Sequence, residues 1–204
     1  MSDLDTIFAP ATAIGRAGVA VIRLSGPAVR MALAALTGQA KMPGPRKATL
    51  TPFLDWNSGE VLDQGLVLWF PAPCSFTGED VAELHCHGSG AVVAALLSSL
   101  GGRDDCRLAE AGEFTRRAFQ NGKMDLTQAE GLADLIAAET EAQRRQAQRQ
   151  LAGELGQLYE GWRADLIRSL AHLEADIDFP EENVPEAMTE RKRSELHRLA
   201  EEIS

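Results

Sequence analysis

Apolar and polar residues alternate along this chain with two different periods. From Asp5 to about Ala109 apolar side chains recur at every second position or in short runs broken by Gly and Pro, which predicts strands with short helices between them. Asp5 to Gly26 reads as strand, Gly-rich turn, strand. In the second strand Val19, Val21, Arg23 and Ser25 share one face, and Ala20, Ile22 and Leu24 share the other. Pro27 to Leu36 is a short amphipathic helix closed by Gly38. Ala48 to Trp56 and Val61 to Phe70 are strands joined by the hairpin signal Asn57-Ser58-Gly59. The run from Gly65 to Phe70 is apolar on both faces, which predicts a central place in the sheet. A strand from about Asp80 to His87, a helix from Ala91 to Leu100 and a short strand from Cys106 to Ala109 follow. Residues 1–120 therefore read as an α+β domain built on a mixed sheet with helices.

From Gly112 the period lengthens to that of a helix. Thr127 with Glu130, and Thr140 with Gln143, match capping boxes. After the second, Leu151, Leu155, Leu158, Trp162, Leu166, Leu170 and Leu173 recur at steps of three and four. They predict one helix of about 35 residues, roughly 50 Å long. It should break at Ile177-Asp178-Phe179-Pro180, with a further helix from about Thr189. A long helix with an apolar stripe needs partner helices, and those in the chain are too few to cover it. Residues 121–204 thus read as an incomplete all-α helical bundle, and the whole as the N-terminal portion of a longer protein.

Composition adds limits. The chain is 45% apolar and 25% charged, as in ordinary globular proteins. There is no apolar run near 18 residues, which excludes a membrane-spanning helix, and MSDLDTIFAP lacks the basic and apolar regions of a secretory signal. Cys74, Cys86 and Cys106 are odd in number and irregularly spaced, as reduced cytoplasmic thiols are. Residues 1–125 carry 11 Lys/Arg against 13 Asp/Glu, a net of −2, while residues 126–204 carry 9 against 17, a net of −8. Such a chain is a poor nucleic-acid binder by itself, so any RNA would be held by another segment or a partner.

Candidate chemistry concentrates in Ser75 to Gly88, SFTGEDVAELHCHG. Ala82, Leu84 and Cys86 make an apolar face suited to a core. Val81, Glu83, His85 and His87 make a largely ionisable one, the wall of a site more than a solvated strand face. Reach argues against a metal held by Glu83, His85 and His87 together: three alternate positions on a straight strand span about 13 Å, too far for one ion about 2 Å from each; His85 and His87 alone could chelate, but no second cluster of ligands lies elsewhere in the sequence. Cys86 faces away from both histidines and reads as a buried structural thiol. Gly122-Lys123 lacks the upstream glycine and the following Ser/Thr of a P-loop, and Gly88-Ser89-Gly90 lacks the third glycine of a dinucleotide fingerprint. The turn at 88–91 could receive an anion or be an ordinary strand-to-helix turn. Glu83 could instead accept hydrogen bonds from the N–H/NH₂ edge that pterins and guanine present, with Arg23 or Lys123 holding an acidic tail. Arg23 equally reads as a solvated or salt-bridged arginine.

Four blocks together are similar to the N-terminal part of the tRNA-modification GTPases of the MnmE (TrmE) family: DTIFAPATAIGRAGVAVIRLSG (5–26), LDQGLVLWFPAPCSFTGEDVAELHCHG (62–88), EFTRRAFQNGKMDLTQAEGLADLI (113–136) and IDFPEE (177–182). The resemblance covers nearly the whole chain, with Ala17 where a glycine is usual and Ser89 in place of a second glycine after His87. It implies a tetrahydrofolate-binding-domain-like fold for 1–120, which also mediates homodimerisation, and the first half of a helical domain for 121–204. The G domain, with its GTP, Mg²⁺ and K⁺ sites, and the C-terminal helices would follow. The parent protein would be a cytoplasmic GTP hydrolase. With the FAD protein MnmG (GidA) it would install an aminomethyl or carboxymethylaminomethyl group at C5 of the tRNA wobble uridine. The one-carbon unit would come from a folate such as 5-formyl- or 5,10-methylene-tetrahydrofolate. The residue-by-residue resemblance implies Arg23, Glu83 and Lys123 as folate contacts, His85 and His87 as neighbours of the site, and no catalytic residue, metal site or GTPase activity in this segment. The alternative from another class is a ligand-free scaffold that docks a partner.

Overall fold

The computed structural model describes residues 5–13, 15–178 and 186–203, and these form two compact units that divide between Met124 and Asp125. The first unit holds β1 (Thr6–Pro10), β2 (Ala17–Ser25), α1 (Val29–Thr37), β3 (Thr49–Leu54), β4 (Val61–Phe70), β5 (Val81–Gly88), α2 (Gly90–Gly101), β6 (Cys106–Leu108) and α3 (Glu113–Gln120). The second holds α4 (Leu126–Ala137), α5 (Glu141–Leu151), α6 (Glu154–Asp178) and α7 (Glu186–Ile203). This is the α+β domain followed by a helical region that the periodicity predicts.

The six strands form one mixed sheet in the order β3-β4-β5-β2-β1-β6, antiparallel except for β1 with β6. Ile22 and Leu24 of β2, Leu84 and Cys86 of β5, and Val67 and Trp69 of β4 are buried in one cluster with Leu33 and Leu36 of α1 and Leu96 and Leu100 of α2. The helices therefore cover one face, and alternation sends Val21, Arg23, Ser25, Glu83, His85, Leu66 and Leu68 to the other.

The run from Gly65 to Phe70 is inside the sheet but second from its edge; β5 and β2 hold the centre. Its two apolar faces have separate causes: Val67 and Trp69 enter the core, while Leu66 and Leu68 floor the opposite face beside β5. Gly65 is required by contact, because a Cβ there would lie 2.1 Å from the His85 carbonyl oxygen.

Two helical boundaries differ from the sequence pattern. The capping box of α4 is formed by Asp125 and Gln128, not Thr127 and Glu130. Asp125 Oδ1 accepts from the Gln128 amide at 2.8 Å and the Thr127 hydroxyl joins it at 2.7 Å. The helix expected to run unbroken from Thr140 is divided at Ala152-Gly153, where Gly153 adopts φ +87° and the Gln128 side chain donates to the freed Leu151 carbonyl at 3.2 Å. The Thr140–Gln143 box is present. The break expected at Phe179-Pro180 lies outside the described residues, and α7 starts at Glu186, three residues ahead of the expected Thr189. Leu158, Leu166, Ile167 and Leu170 of α6 are about half exposed, so the stripe is only partly covered.

Two glycine substitutions separate contact from propensity. Gly65→Ala should destabilise the first unit by about 2 kcal/mol or more, through overpacking against a backbone that cannot move aside. Gly161→Ala, in α6 with open space around its Cα, should stabilise the helical unit by about 0.5–1 kcal/mol. Urea unfolding midpoints of the two variants should therefore move in opposite directions.

Candidate functional site

Antiparallel pairing of β2 with β5 sets Arg23 directly opposite Glu83 and Val21 opposite His85. On the open face this register becomes an ion pair. Arg23 donates from Nε at 3.1 Å and from Nη2 at 2.8 Å, both to Glu83 Oε1. Glu83 Oε2 is left facing His85 Nε2 at 3.5 Å, beyond a good hydrogen bond. Among the described residues His85 Nε2 is screened from solvent and has no hydrogen-bond partner. Its cross-strand neighbours, Val21 and Leu66, have no polar side-chain atoms to offer one.

Two aromatic rings flank the arginine. The guanidinium carbon lies 5.4 Å from the centre of Phe76 and 5.9 Å from that of Phe114. Phe76 belongs to the loop between β4 and β5, and Phe114 to α3. Both segments are tied to β2 by a buried polar network. Ser25, two residues beyond Arg23 on the same face, bonds to the Thr77 hydroxyl and to Glu79, each at 2.6 Å. Glu79 accepts from Arg117, which also donates to Glu113, and Glu113 accepts from Arg107 at 2.6 and 2.9 Å and from the Glu110 amide at 2.8 Å. Glu113 and Arg117 are buried. The Arg107 hydrogen bonds hold the Glu113 carboxyl down at about 2, against the opposing effect of burial.

Lys123 does not reach this ion pair by a direct bond. Its ammonium donates to the Pro73 carbonyl at 3.1 Å, and its stem lies over Gly78, where a Cβ would come within 3.3 Å of it. Gly78 has φ +83°, and Asn121 donates to the neighbouring Thr77 carbonyl at 2.7 Å. Lys123 is thus fixed to the same 71–80 loop that carries Phe76, but at another point on it.

His87 is drawn elsewhere. Its backbone amide and its Nδ1 both bind the Asp63 carboxylate at 2.8 Å. Burial works against a charged Asp63, yet these contacts outweigh it and hold the carboxyl below its ordinary value. Of the two histidines, His85 belongs to the cluster and His87 to the β4 edge of the strand. Cys86 is buried on the core face, where desolvation raises its thiol above the ordinary range. Among the described residues no group of three His, Cys, Asp or Glu side chains is arranged to hold a metal, and no helix is long and apolar enough to cross a membrane.

Phe76, Phe114 and the Ser25–Glu79–Arg117–Glu113 chain were not singled out as site residues by sequence reasoning. Their signal was the polar face of EFTRRAFQ and the polar SFTGED stretch, but their contacts exist only once α3 and the loop meet β2.

Comparison with known proteins agrees with this architecture. A family profile described as GTP-binding protein TrmE N-terminus matches residues 6–123, and one described as MnmE helical domain matches 126–204. The chain belongs to the TrmE (MnmE) family. It is 58% identical over 201 residues to the tRNA modification GTPase MnmE of Parvibaculum lavamentivorans, covering 98% of this chain and 46% of the relative. It is 55% identical over 213 residues to that of Rhodospirillum rubrum, with 98% and 46% covered. It is 57% identical over 195 residues to human mitochondrial 5-taurinomethyluridine-tRNA synthase subunit GTPB3, with 95% and 40% covered. The chain spans about half the length of the curated relatives it matches.

The depressed Glu113 carboxyl makes an acid-stability prediction. Its folded value, about 2, lies below the ordinary 4.5. The unfolded chain therefore binds the proton first, and the stabilisation is complete above about pH 4.5 and lost as pH falls towards 2. Over that window the first unit should lose about 3 kcal/mol through this group. Urea midpoints measured from pH 5 to pH 2.5 should fall less steeply in Glu113→Gln, from a lower start. Equal slopes would remove Glu113 from the account.

Proposed function

We propose that this chain is the folate-binding and dimerisation segment of a tRNA-modifying GTPase. What carries the reading is the open face of β2 and β5. Arg23 and Glu83 form one unit there, held between two phenylalanine rings, with an apolar floor of Val21, Leu66 and Leu68 beside it. A planar heterocycle suits an apolar floor with a few placed polar groups. Glu83 would accept from the ring N–H/NH₂ edge of a tetrahydrofolate. Arg23, being on Glu83, would serve the neighbouring ring carbonyl oxygen and not a distant glutamate tail. Lys123, at its other point on the 71–80 loop, is the cation for that tail. The bound folate supplies the one-carbon chemistry, and these side chains bind and orient it.

The names of the relatives support a parent protein that hydrolyses GTP in tRNA modification, and the resemblance extends this to action with MnmG on the wobble uridine, in the cytoplasm, as a homodimer. The GTP, Mg²⁺ and K⁺ sites would belong to a separate G domain, since residues 1–204 contain no P-loop. This segment alone should then bind 5-formyl- or 5,10-methylene-tetrahydrofolate without hydrolysing GTP. The acidic helical unit, with its net charge of −8, leaves contact with tRNA phosphates to other parts of the complex.

Isothermal titration with 5-formyltetrahydrofolate tests the reading. The unaltered chain should bind, and Glu83→Ala should bind at least about 30-fold more weakly, because a carboxylate pairing N–H donors is worth about 2 kcal/mol or more. Identical heats for the two proteins would sink the assigned pocket. No heat from the unaltered chain would sink folate binding by this segment.

A further inference from the structure

We propose that Arg46 extends the candidate folate site beyond the first glutamate: with Lys123 it binds a further carboxylate of a poly-γ-glutamyl tail, so that this segment favours polyglutamyl over monoglutamyl folates. The inference rests on the folate reading above and adds a residue and a ligand class to it. It starts from charge. Residues 6–54 hold six Lys/Arg (Arg16, Arg23, Arg30, Lys41, Arg46 and Lys47) and no Asp or Glu, a net of +6 in a chain of net charge −10. Arg23 is neutralised by Glu83 and Arg30 by Asp80. Arg46 and Lys123 are exposed and, among the described residues, have no carboxylate partner. The acids of the adjoining loop are already engaged, Glu79 by Ser25 and Arg117, and Asp80 by Arg30 and the Ala72 amide.

Geometry sets these two cations side by side. Lys123 donates to the Pro73 carbonyl at 3.1 Å, and Arg46 Nη2 donates to the carbonyl of the next residue, Cys74. Neighbouring Cα atoms are about 3.8 Å apart, so cations on adjacent carbonyls lie within roughly 10 Å of each other, a gap that one γ-linked glutamate bridges. Both keep donors to spare: the ammonium has three and the guanidinium five, and each spends one on the loop. The pair also lies where a tail would pass. The Arg46 guanidinium carbon is 6.0 Å from the centre of the Phe70 ring. Phe70 follows Leu68 by two positions on the open face, and Leu68 stands opposite Glu83. A tail leaving a ring held by Glu83 would run along β4 onto these cations. Arg46 is moreover fixed in an unfavourable conformation. Its φ is +58°, the one positive value at a non-Gly position among the described residues. Its amide on the Trp69 carbonyl at 2.8 Å and its guanidinium on Cys74 hold it there. Such strain persists only where the surroundings impose it, and here they aim a cation across the end of the open face.

Isothermal titration of the 204-residue chain compares 5-formyltetrahydrofolate bearing one glutamate with the form bearing three, in the unaltered protein, Arg46→Asn and Arg46→Lys. Asn adopts a left-handed φ readily, so the first variant removes the cation without straining the turn. The unaltered chain should bind the triglutamate roughly 10-fold more tightly, as a hydrogen bond between charged groups gives, and the preference should shrink as salt is raised. In Arg46→Asn the ratio should fall to about 3-fold or less, and Arg46→Lys should recover part of it. A merely structural arginine would weaken both ligands alike; an unchanged ratio overturns the proposal while folate binding stands, as does equal binding of the two forms by the unaltered chain. Tri-γ-glutamate without the pterin should bind far more weakly than the complete ligand, and equal affinity would reduce the cations to a general anion patch and overturn the proposal. Weaker tRNA binding by Arg46→Asn with the folate ratio unchanged would assign the cations to RNA instead. No binding of either folate overturns the folate reading and this proposal with it. Should Arg46→Asn fail to fold, the Arg46 Nε–H resonance of the unaltered chain decides: it should move with the triglutamate and stay with the monoglutamate.

Discussion

The buried chain of polar contacts from Ser25 through Glu79, Arg117 and Glu113 to Arg107 is the constraint on which the site depends. It joins three elements on the open side of the sheet: the end of β2, the 71–80 loop and α3. Against apolar residues of the same size such buried charges bring little net stability, because desolvation offsets attraction, although neutralising one partner alone is costly. What they bring is position. With Glu113 accepting from two arginines and an amide, α3 has one placement over the sheet, and Phe114 comes with it. With Glu79 held by Ser25 and Arg117, the loop has one path, and Phe76 comes with that.

The consequence is an arginine whose surroundings are set before any ligand arrives. Arg23 is fixed on Glu83 and flanked by two rings from segments far apart in the chain. A preorganised pair of this kind loses little conformational freedom on binding. Gly78 has a matching part on the loop's other side. Its positive φ and missing Cβ let Asn121 and Lys123 lie close to the loop, so one short segment supports cations at two separated points. That division suits a ligand with a flat polar head and an anionic tail.

Much of the fold was legible because alternation in a strand sends successive side chains to opposite faces whatever they pack against. The sequence determined the apolar face of Ala82, Leu84 and Cys86, the polar face of Glu83 and His85, and Arg23 on the open side of its strand. It also determined the change from strand to helix near Gly112 and, through four blocks in order, the family. Tertiary structure alone decided register. Arg23 and Glu83 are 60 residues apart, and no local pattern states that they stand opposite each other. Nor does any state that His85 Nε2 finds no hydrogen-bond partner among the described residues, or that Asp63 takes His87. The helical boundaries obey the same division. Thr-x-x-Glu and an unbroken leucine stripe were the stronger local signals, but Asp125 offered a better-placed acceptor, and Gln128 of the neighbouring helix could satisfy the carbonyl that a break at Gly153 exposes. Local chemistry proposes the faces and the ends; contacts between distant segments select among them, because only there are the hydrogen-bond partners supplied.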